Sequence, residues 1–190
     1  METAPIPRRR LDARSLVALA HPLRIRIRDR LRREGPANAT QLAREFGETS
    51  GATSYHLRML ARHGFVEPDL EHGRGRERWW RATPEVIQIY PSEFVDDVTA
   101  SEALRVVDAE RFRMANERLA RWLDDRAEWS GPWRDAAENS VFGLRLTPEQ
   151  TRALGDEMIA IVDRYITVAP EPGARSVELQ LNLFPTGTRA

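Results

Sequence analysis

Residues 49–66 read TSGATSYHLRMLARHGFV and carry the strongest structural signal in the chain. Thr49 or Ser50 can cap a helix, because either side chain can accept a hydrogen bond from a backbone N–H of the first turn. Leu57 and Leu60 give this helix an apolar face, and Gly64 is typical of a residue that ends a helix. The pattern predicts a helix that reaches about residue 63 and begins with small, polar residues.

A shorter helix is predicted immediately before it. Thr40 can cap a helix over residues 41–46, whose apolar stripe is formed by Leu42 and Phe46, and Gly47 ends it. Two short helices joined by a tight turn form the helix-turn-helix pattern. Upstream, Asp12 can cap a helix that ends near Ala20. Pro22 then starts another helix, in which Leu23, Ile27 and Leu31 face the core and arginines surround them.

A hairpin is predicted directly after the 50–63 helix. Residues 65–70 and 76–82 have the composition of strands, and residues 72–75 (His-Gly-Arg-Gly) supply the turn between them. Its tip is rich in arginine, and its position in the chain is that of a wing. Trp79 and Trp80 alternate between the two faces of the second strand, so one of them should face the core.

The rest of the chain predicts a second region of mixed structure. Thr83-Pro84 marks a boundary, and a long helix is predicted over residues 101–128. A strand-like segment at 141–146 precedes a helix that Thr147 caps, and residues 177–183 alternate apolar and polar side chains as a half-buried strand does. The predicted fold is mainly α with small β: a basic, disordered arm (1–10), a winged helix-turn-helix domain (11–84) and an accessory region (85–190) with a long helix and strand–helix–strand.

The zero net charge of the chain hides an asymmetry between its halves. Residues 1–84 contain 17 arginines and 10 acidic residues, whereas residues 85–190 contain 12 arginines and 19 acidic residues. There is no lysine, so every basic side chain is a planar guanidinium suited to phosphate and guanine. A basic half beside an acidic half indicates that the first half meets a polyanion.

These features point to double-stranded DNA as the partner, because a helix fits the major groove and presents its N-terminal residues to base edges. Arginines of the hairpin can contact the backbone or enter the minor groove. The predicted DNA-binding residues are Thr40, Thr49, Ser50, Gly51, Ala52, Thr53, Ser54, Tyr55, Arg58, Arg74, Arg76 and Arg78. A winged-helix module that binds a protein instead of DNA is the alternative interpretation.

Residues 16–82 resemble the winged helix-turn-helix of the ArsR (arsenical-resistance repressor) family. The resemblance rests on AHPLR at residues 20–24 followed by Ile27, on Leu42-Ala43, on Ser54 with His56-Leu57 and Leu60, on GFV at 64–66 and on the two aromatic residues that end the wing. It implies a homodimer that controls transcription at a palindromic operator, most often as a repressor. The metal-sensing cysteines of that family are absent, and all four histidines lie in the first half, so the resemblance does not extend to its metal sites; a site made of carboxylates alone stays open.

Residues 85–190 are the candidate region for dimerisation and for binding a small-molecule effector. Trp122, Trp129 and Trp133 would share one face if the long helix continued that far, and three such tryptophans more often form a core or a dimer seam than a pocket. Together with Phe112 they are the candidate walls of a pocket for a small-molecule effector.

Other functions find little support in the sequence. The chain has no cysteine, no phosphate loop with lysine, no GxSxG and no HExxH, so we expect no enzyme activity and no cofactor. No apolar run approaches the roughly 20 residues of a membrane span. We therefore expect a cytoplasmic protein.

Overall fold

A computed structural model describes residues 7–72, 77–166 and 168–187. The described residues divide into two compact units, one up to residue 117 and the other from residue 118 onward. None of the helices in the described ranges combines the length and apolar composition that a membrane span requires. The architecture is mainly helical with two small sheets, which confirms the predicted fold class.

The first unit begins with four helices: α1 (Ala13–Leu19), α2 (Pro22–Glu34), α3 (Ala39–Phe46) and α4 (Ser50–Arg62). Local signals set their starts. Asp12 accepts a hydrogen bond from the N–H of Ser15 at 2.7 Å, and Thr49 Oγ1 accepts one from the N–H of Ala52 at 3.1 Å. The helix-turn-helix and the boundaries of α4 therefore agree with the prediction to within about one residue.

The predicted cap of α3 was wrong. Asn38, not Thr40, caps this helix, since Asn38 Oδ1 accepts from the N–H of Gln41 at 2.8 Å. The Gln41 side chain accepts from the N–H of Asn38 at 3.0 Å and completes a capping box. A reciprocal pair satisfies two free N–H groups, whereas a threonine two residues later satisfies at most one.

A three-stranded antiparallel sheet follows the helices, in the order β2 (Ala37–Asn38), β4 (Trp79–Ala82), β3 (Val66–Asp69). Val66 faces Ala82 and Asp69 faces Trp79, so the predicted hairpin is confirmed. Trp80 is the buried tryptophan and Trp79 the half-buried one. The turn residues 73–76 lie outside the described residues.

Part of the predicted disordered arm is ordered. Residues Arg8–Arg10 form β1, which pairs in parallel with β5 (Val86–Gln88). Arg9 holds this strand in place: its guanidinium donates to the carbonyl of Gly64 at 2.9 Å and to Ser15 Oγ at 3.3 Å. It also lies 5.1 Å from the ring centre of Phe65. This strand could not be predicted from the run of three arginines, because its partner strand lies 78 residues further along the chain.

The first unit extends beyond the predicted boundary at residue 84. After a 3₁₀ turn at Pro91–Phe94, helix α5 (Val98–Asp125) begins. Ala103, Val107 and Met114 of α5 are buried in the same core cluster as the helix-turn-helix residues. Thr83-Pro84 therefore interrupts the chain locally without ending the unit, because the apolar face of α5 is needed to cover the core.

The second unit differs from the prediction in its strands. It contains the end of α5, α6 (Gly131–Ala136) and α7 (Pro148–Ile166), and Thr147 caps α7 as expected. The segments 137–147 and 168–187 form no strand in their described residues, so the predicted strand–helix–strand is reduced to its helix. A strand needs a ladder of backbone hydrogen bonds, and the strand ladders found in the described residues involve neither segment.

We expect Arg9→Met to lower the free energy of unfolding by about 1–2 kcal/mol, because the Gly64 carbonyl loses a charged donor at a partly buried site. Arg14→Met removes an exposed arginine of α1 and should change it by about 0.5 kcal/mol or less. Urea unfolding followed by circular dichroism measures both values. Equal values would mean that Arg8–Arg10 do not contribute to the folded unit.

Candidate nucleic-acid interface

One face of α4 is open to solvent along its first two turns. Ser50 and Gly51 are exposed at the helix start, Tyr55 is 52% exposed, and Arg58 is exposed one turn further on. Helix α4 contains two arginines and no acidic residue, so nothing on the helix itself repels a polyanion. We call this exposed row the open face of α4.

The opposite face of α4 is fixed in the core. Leu57 and Leu60 are 0% exposed, and Phe65 directly after the helix is also fully buried. Helix α3 packs against α4 through its buried residues Leu42 and Ala43. Fully burying a leucine contributes about 1.5–3 kcal/mol, so this packing holds the open face in a defined orientation.

Thr53 does not belong to the open face, although its hydroxyl was predicted to contact DNA. Its side chain is 0% exposed, and Oγ1 donates to the carbonyl of Thr49 at 3.0 Å. Thr53 lies on the same side of the helix as Leu57 and Leu60, four and seven residues away, which is the helical repeat. Ala52 and Ser54 are half-buried at the edges of the open face.

A carboxylate lies between the turn of the hairpin and its second strand. Glu77 accepts from Asn38 Nδ2 at 2.6 Å and from Thr40 Oγ1 at 3.5 Å, which links the start of α3 to the start of the second wing strand. Thr40 is therefore tied to a carboxylate. Arg78 is exposed, and its guanidinium lies 5.6 Å from the ring centre of Trp80. Arg74 and Arg76 fall outside the described residues.

Two histidines join α4 to the start of α2. The ring centres of His21 and His56 are 4.5 Å apart, and His21 Nδ1 accepts from the N–H of Leu23 at 3.2 Å. His56 Nδ1 is buried without a hydrogen-bond partner. Burial and then the charge of Arg24 lower the pKa of His21, and burial, His21 and Arg24 lower the pKa of His56, while Glu48 acts weakly in the opposite direction.

The residues of the predicted aromatic pocket are divided between the two units, with Phe112 in the first and the three tryptophans in the second. Helix α5 ends at Asp125, so Trp129 and Trp133 leave the helix face that Trp122 occupies. Trp129 lies instead beneath the guanidinium of Arg175, 5.4 Å from its ring centre. Phe112 belongs to the first unit and is 64% exposed. The Gly-Pro pair at 131–132 forms the first turn of α6.

Sequence reasoning missed three side chains that shape this surface. Asn38 and Glu77 link the start of α3 to the residue pair that precedes the second wing strand. For Asn38, a Gln three residues later was the available signal. Arg24 of α2 lies near Tyr55, and its Nε is buried without a partner. No sequence pattern distinguishes Arg24 from the other arginines of α2. Within the described ranges, no group of three or more His, Asp or Glu side chains is arranged to hold a metal ion.

Comparison with protein families agrees with this geometry over the first unit. Residues 19–69 match a family model described as a helix-turn-helix domain, which covers α2, α3, α4 and β3. No curated protein matches the chain. Among solved structures, an apo double mutant of Lactococcus lactis ZitR is similar at 12% identity and a TM-score of 0.35, over 77% of this chain and 83% of that one. The family match shows that the chain contains a helix-turn-helix domain.

The paired histidines predict a pH dependence of stability. Because their pKa values are lower in the folded chain than the ordinary 6.5, the unfolded chain binds more protons, and stability falls as pH drops below about 6.5. His56→Gln removes one of the two groups and should make this fall shallower. Urea unfolding between pH 5 and pH 8 measures how the free energy of unfolding depends on pH. The same dependence in the His56→Gln variant as in the unmodified chain would show that the pair does not titrate as described.

Proposed function

We propose that this protein is a homodimeric, sequence-specific DNA-binding transcription regulator of the ArsR type, acting as a repressor. The single observation that carries the proposal is the open face of α4: it is free of acidic residues and rigidly supported by Leu57 and Leu60. A helix of this kind enters the major groove of duplex DNA and reads base edges from its first turns.

Different residues of α4 have different roles in this proposal. Ser50 and Ser54 offer hydroxyls to base edges or phosphates, and Arg58 reaches a guanine or a phosphate from the exposed side of the helix. Gly51 and Ala52 allow close approach but cannot hydrogen-bond a base. Direct readout is therefore concentrated on a few side chains, and DNA shape contributes the rest.

The wing supplies contacts that are independent of sequence. Arg78 is exposed at the start of the second wing strand, and Arg74 and Arg76 precede it in the chain. We propose that they hold the sugar-phosphate backbone or enter the adjacent minor groove. Thr49 supports α4 as its cap. Thr40 is the remaining candidate contact, at the start of α3, and its hydroxyl donates to the carboxylate of Glu77 at 3.5 Å.

The remaining parts of the proposal concern the second half of the chain. Homodimerisation pairs two copies of α4 with two half-sites of an operator, which a two-fold protein requires. Residues 85–117 complete the DNA-binding unit, and residues 118–190 provide the accessory region, where a small-molecule effector would act. The cytoplasm is the compartment in which such a regulator meets DNA.

An electrophoretic shift with the DNA upstream of the protein's own gene, at about 50 and 200 mM salt, tests the proposal. DNA binding should weaken steeply with salt, because arginines that contact phosphates release bound counterions. The absence of any salt-sensitive shift would contradict DNA binding and would favour the protein-interaction module instead.

Arg58→Ala should weaken binding to the specific site about 5- to 150-fold, which corresponds to the roughly 1–3 kcal/mol of a good base contact. Arg152→Ala, an exposed arginine of α7, makes the same change of charge away from α4 and should leave affinity within about twofold. Fluorescence anisotropy with specific and scrambled duplexes measures both.

The comparison between duplexes identifies the role of Arg58. A loss confined to the specific duplex assigns Arg58 to base readout, whereas an equal loss on both duplexes would make it a phosphate contact. No loss on either duplex would contradict the orientation proposed for α4.

A further inference from the structure

The start of α2 meets α4 beside the open face. Tyr55 of that face lies edge-on to His56, with ring centres 5.3 Å apart, and His56 in turn lies against His21, the cap of α2. Arg24 follows His21 by three residues, which places both on one side of α2, and it lies near Tyr55. We call His21, Arg24, Tyr55 and His56 the α2–α4 cluster.

Two polar atoms of the α2–α4 cluster are buried without a partner. Of the three buried side-chain nitrogens or oxygens that lack a hydrogen bond in the described residues, two are Arg24 Nε and His56 Nδ1. Buried polar groups in folded proteins nearly always have a hydrogen-bond partner. Two exceptions at one place therefore point to a binding partner outside the chain.

The charge of Arg24 is also uncompensated. Burial lowers the pKa of Arg24, and among the described side chains only the hydroxyl of Tyr55 acts in the opposite direction. The first turns of α2 and α4 contain no acidic residue, and Glu48, the one described carboxylate that acts on the two histidines, acts weakly. A partly buried cation without a counter-charge is unfavourable, so the partner that fits this cluster is an anion.

Phosphate is the anion that the side chains of the cluster favour. A guanidinium is planar and presents paired N–H donors that match two phosphate oxygens, and the Tyr55 hydroxyl is a further donor. Tyr55 is 52% exposed and joins the cluster to the open face of α4. An α-helix with its side chains is about 10–12 Å across and the major groove is about 12 Å wide, so groups beside a helix in the groove lie at the sugar-phosphate backbone.

We propose that the α2–α4 cluster binds a backbone phosphate of duplex DNA, with Arg24 as the charged donor and the Tyr55 hydroxyl beside it. This inference rests on the proposed DNA binding and adds a contact from α2, outside α4 and the wing. Phosphate contacts carry no sequence information but fix the position of a protein on the duplex. Arg24 is therefore a positioning residue for the base contacts of α4.

Arg24→Met tests the contact, because methionine keeps an apolar stem and removes the guanidinium. Affinity for specific and scrambled duplexes alike should fall about 10-fold or more, as expected when a charged hydrogen bond is lost. The slope of log K against log salt should become shallower by about 0.9 for each copy of the chain on the duplex, the contribution of one neutralised phosphate. Fluorescence anisotropy at several salt concentrations measures both quantities.

Stability separates this role from a structural one. The free energy of unfolding of Arg24→Met should stay the same or rise, since the variant removes a partly buried charge that has no partner. A side chain that held α2 against α4 would instead lower it when removed. Urea unfolding of the full chain makes this comparison without DNA.

Arg28→Met is the matched control. Arg28 lies one turn further along α2 and also has a buried Nε without a partner, but its charged neighbours include Arg32 and Arg111 and no group of α4. The control should leave affinity within about twofold and the salt slope close to that of the unmodified chain, because charges that do not touch the duplex are screened. Arg24→Lys keeps the positive charge and should retain most of the salt slope.

Ethylation of single DNA phosphates locates the contact on the duplex. Binding of the unmodified chain should be blocked when one phosphate beside each half-site is ethylated. Arg24→Met should be insensitive to ethylation of that phosphate, because the group that contacts it is gone.

Several results would overturn the inference. Equal affinity and salt slope for Arg24→Met and the unmodified chain would refute the phosphate contact while leaving DNA binding by α4 intact. A loss of affinity with a lower free energy of unfolding and an unchanged salt slope would make Arg24 structural. The same loss of slope in Arg28→Met would reveal an effect of charge in general.

Two further outcomes identify other failures. No salt-sensitive binding by the unmodified chain would refute the proposed function together with this inference. Inorganic phosphate that raises the unfolding midpoint of the unmodified chain but not of Arg24→Met, with equal DNA binding by both, would assign the cluster to a free anion instead of DNA.

Discussion

The rest of the first unit depends on the burial of one side of α4. Leu57 and Leu60 are fully buried, and Thr53 continues the same row with its hydroxyl satisfied by the carbonyl of Thr49. Because this side is fixed, the other side is presented as a rigid, polar, carboxylate-free surface. The cap at Thr49, the packing of α3 and the cover provided by α5 all maintain that orientation.

Local signals in the sequence were sufficient for the helix-turn-helix and the hairpin. Caps, glycine stops and four-residue spacing act over a few residues, so α3, α4 and the wing could be predicted within narrow limits. The prediction failed where distant partners decide the outcome. Arg8–Arg10 become a strand because β5 lies beside them, and Thr53 is buried because it falls in line with Leu57. The choice between Asn38 and Thr40 as the cap of α3 depended on the reciprocal bond from Gln41.

Some arginines of α2 are also more buried than the helical pattern predicts. The helical pattern predicted that the arginines of α2 surround its apolar face and are exposed to solvent. Yet the Nε atoms of Arg24 and Arg28 are buried without a hydrogen-bond partner. Burial and the nearby charges of Arg32 and Arg111 lower the pKa of Arg28 to about 10. Helix α5 brings Arg111 there, and no rule of periodicity reveals which face of α2 a distant helix will cover. The strand-like segments of the second unit form no strand in their described residues, because an alternation of apolar and polar side chains does not specify the partner that a backbone ladder needs.

Methylation interference on the operator tests the central claim most directly, because methyl groups on guanine N7 block the major groove and those on adenine N3 block the minor groove. If α4 reads the major groove, N7 methylation should abolish binding at guanines in two half-sites whose centres are about 10 base pairs apart or a multiple of that. Binding that tolerates N7 methylation at every guanine and is blocked only from the minor groove would contradict the account.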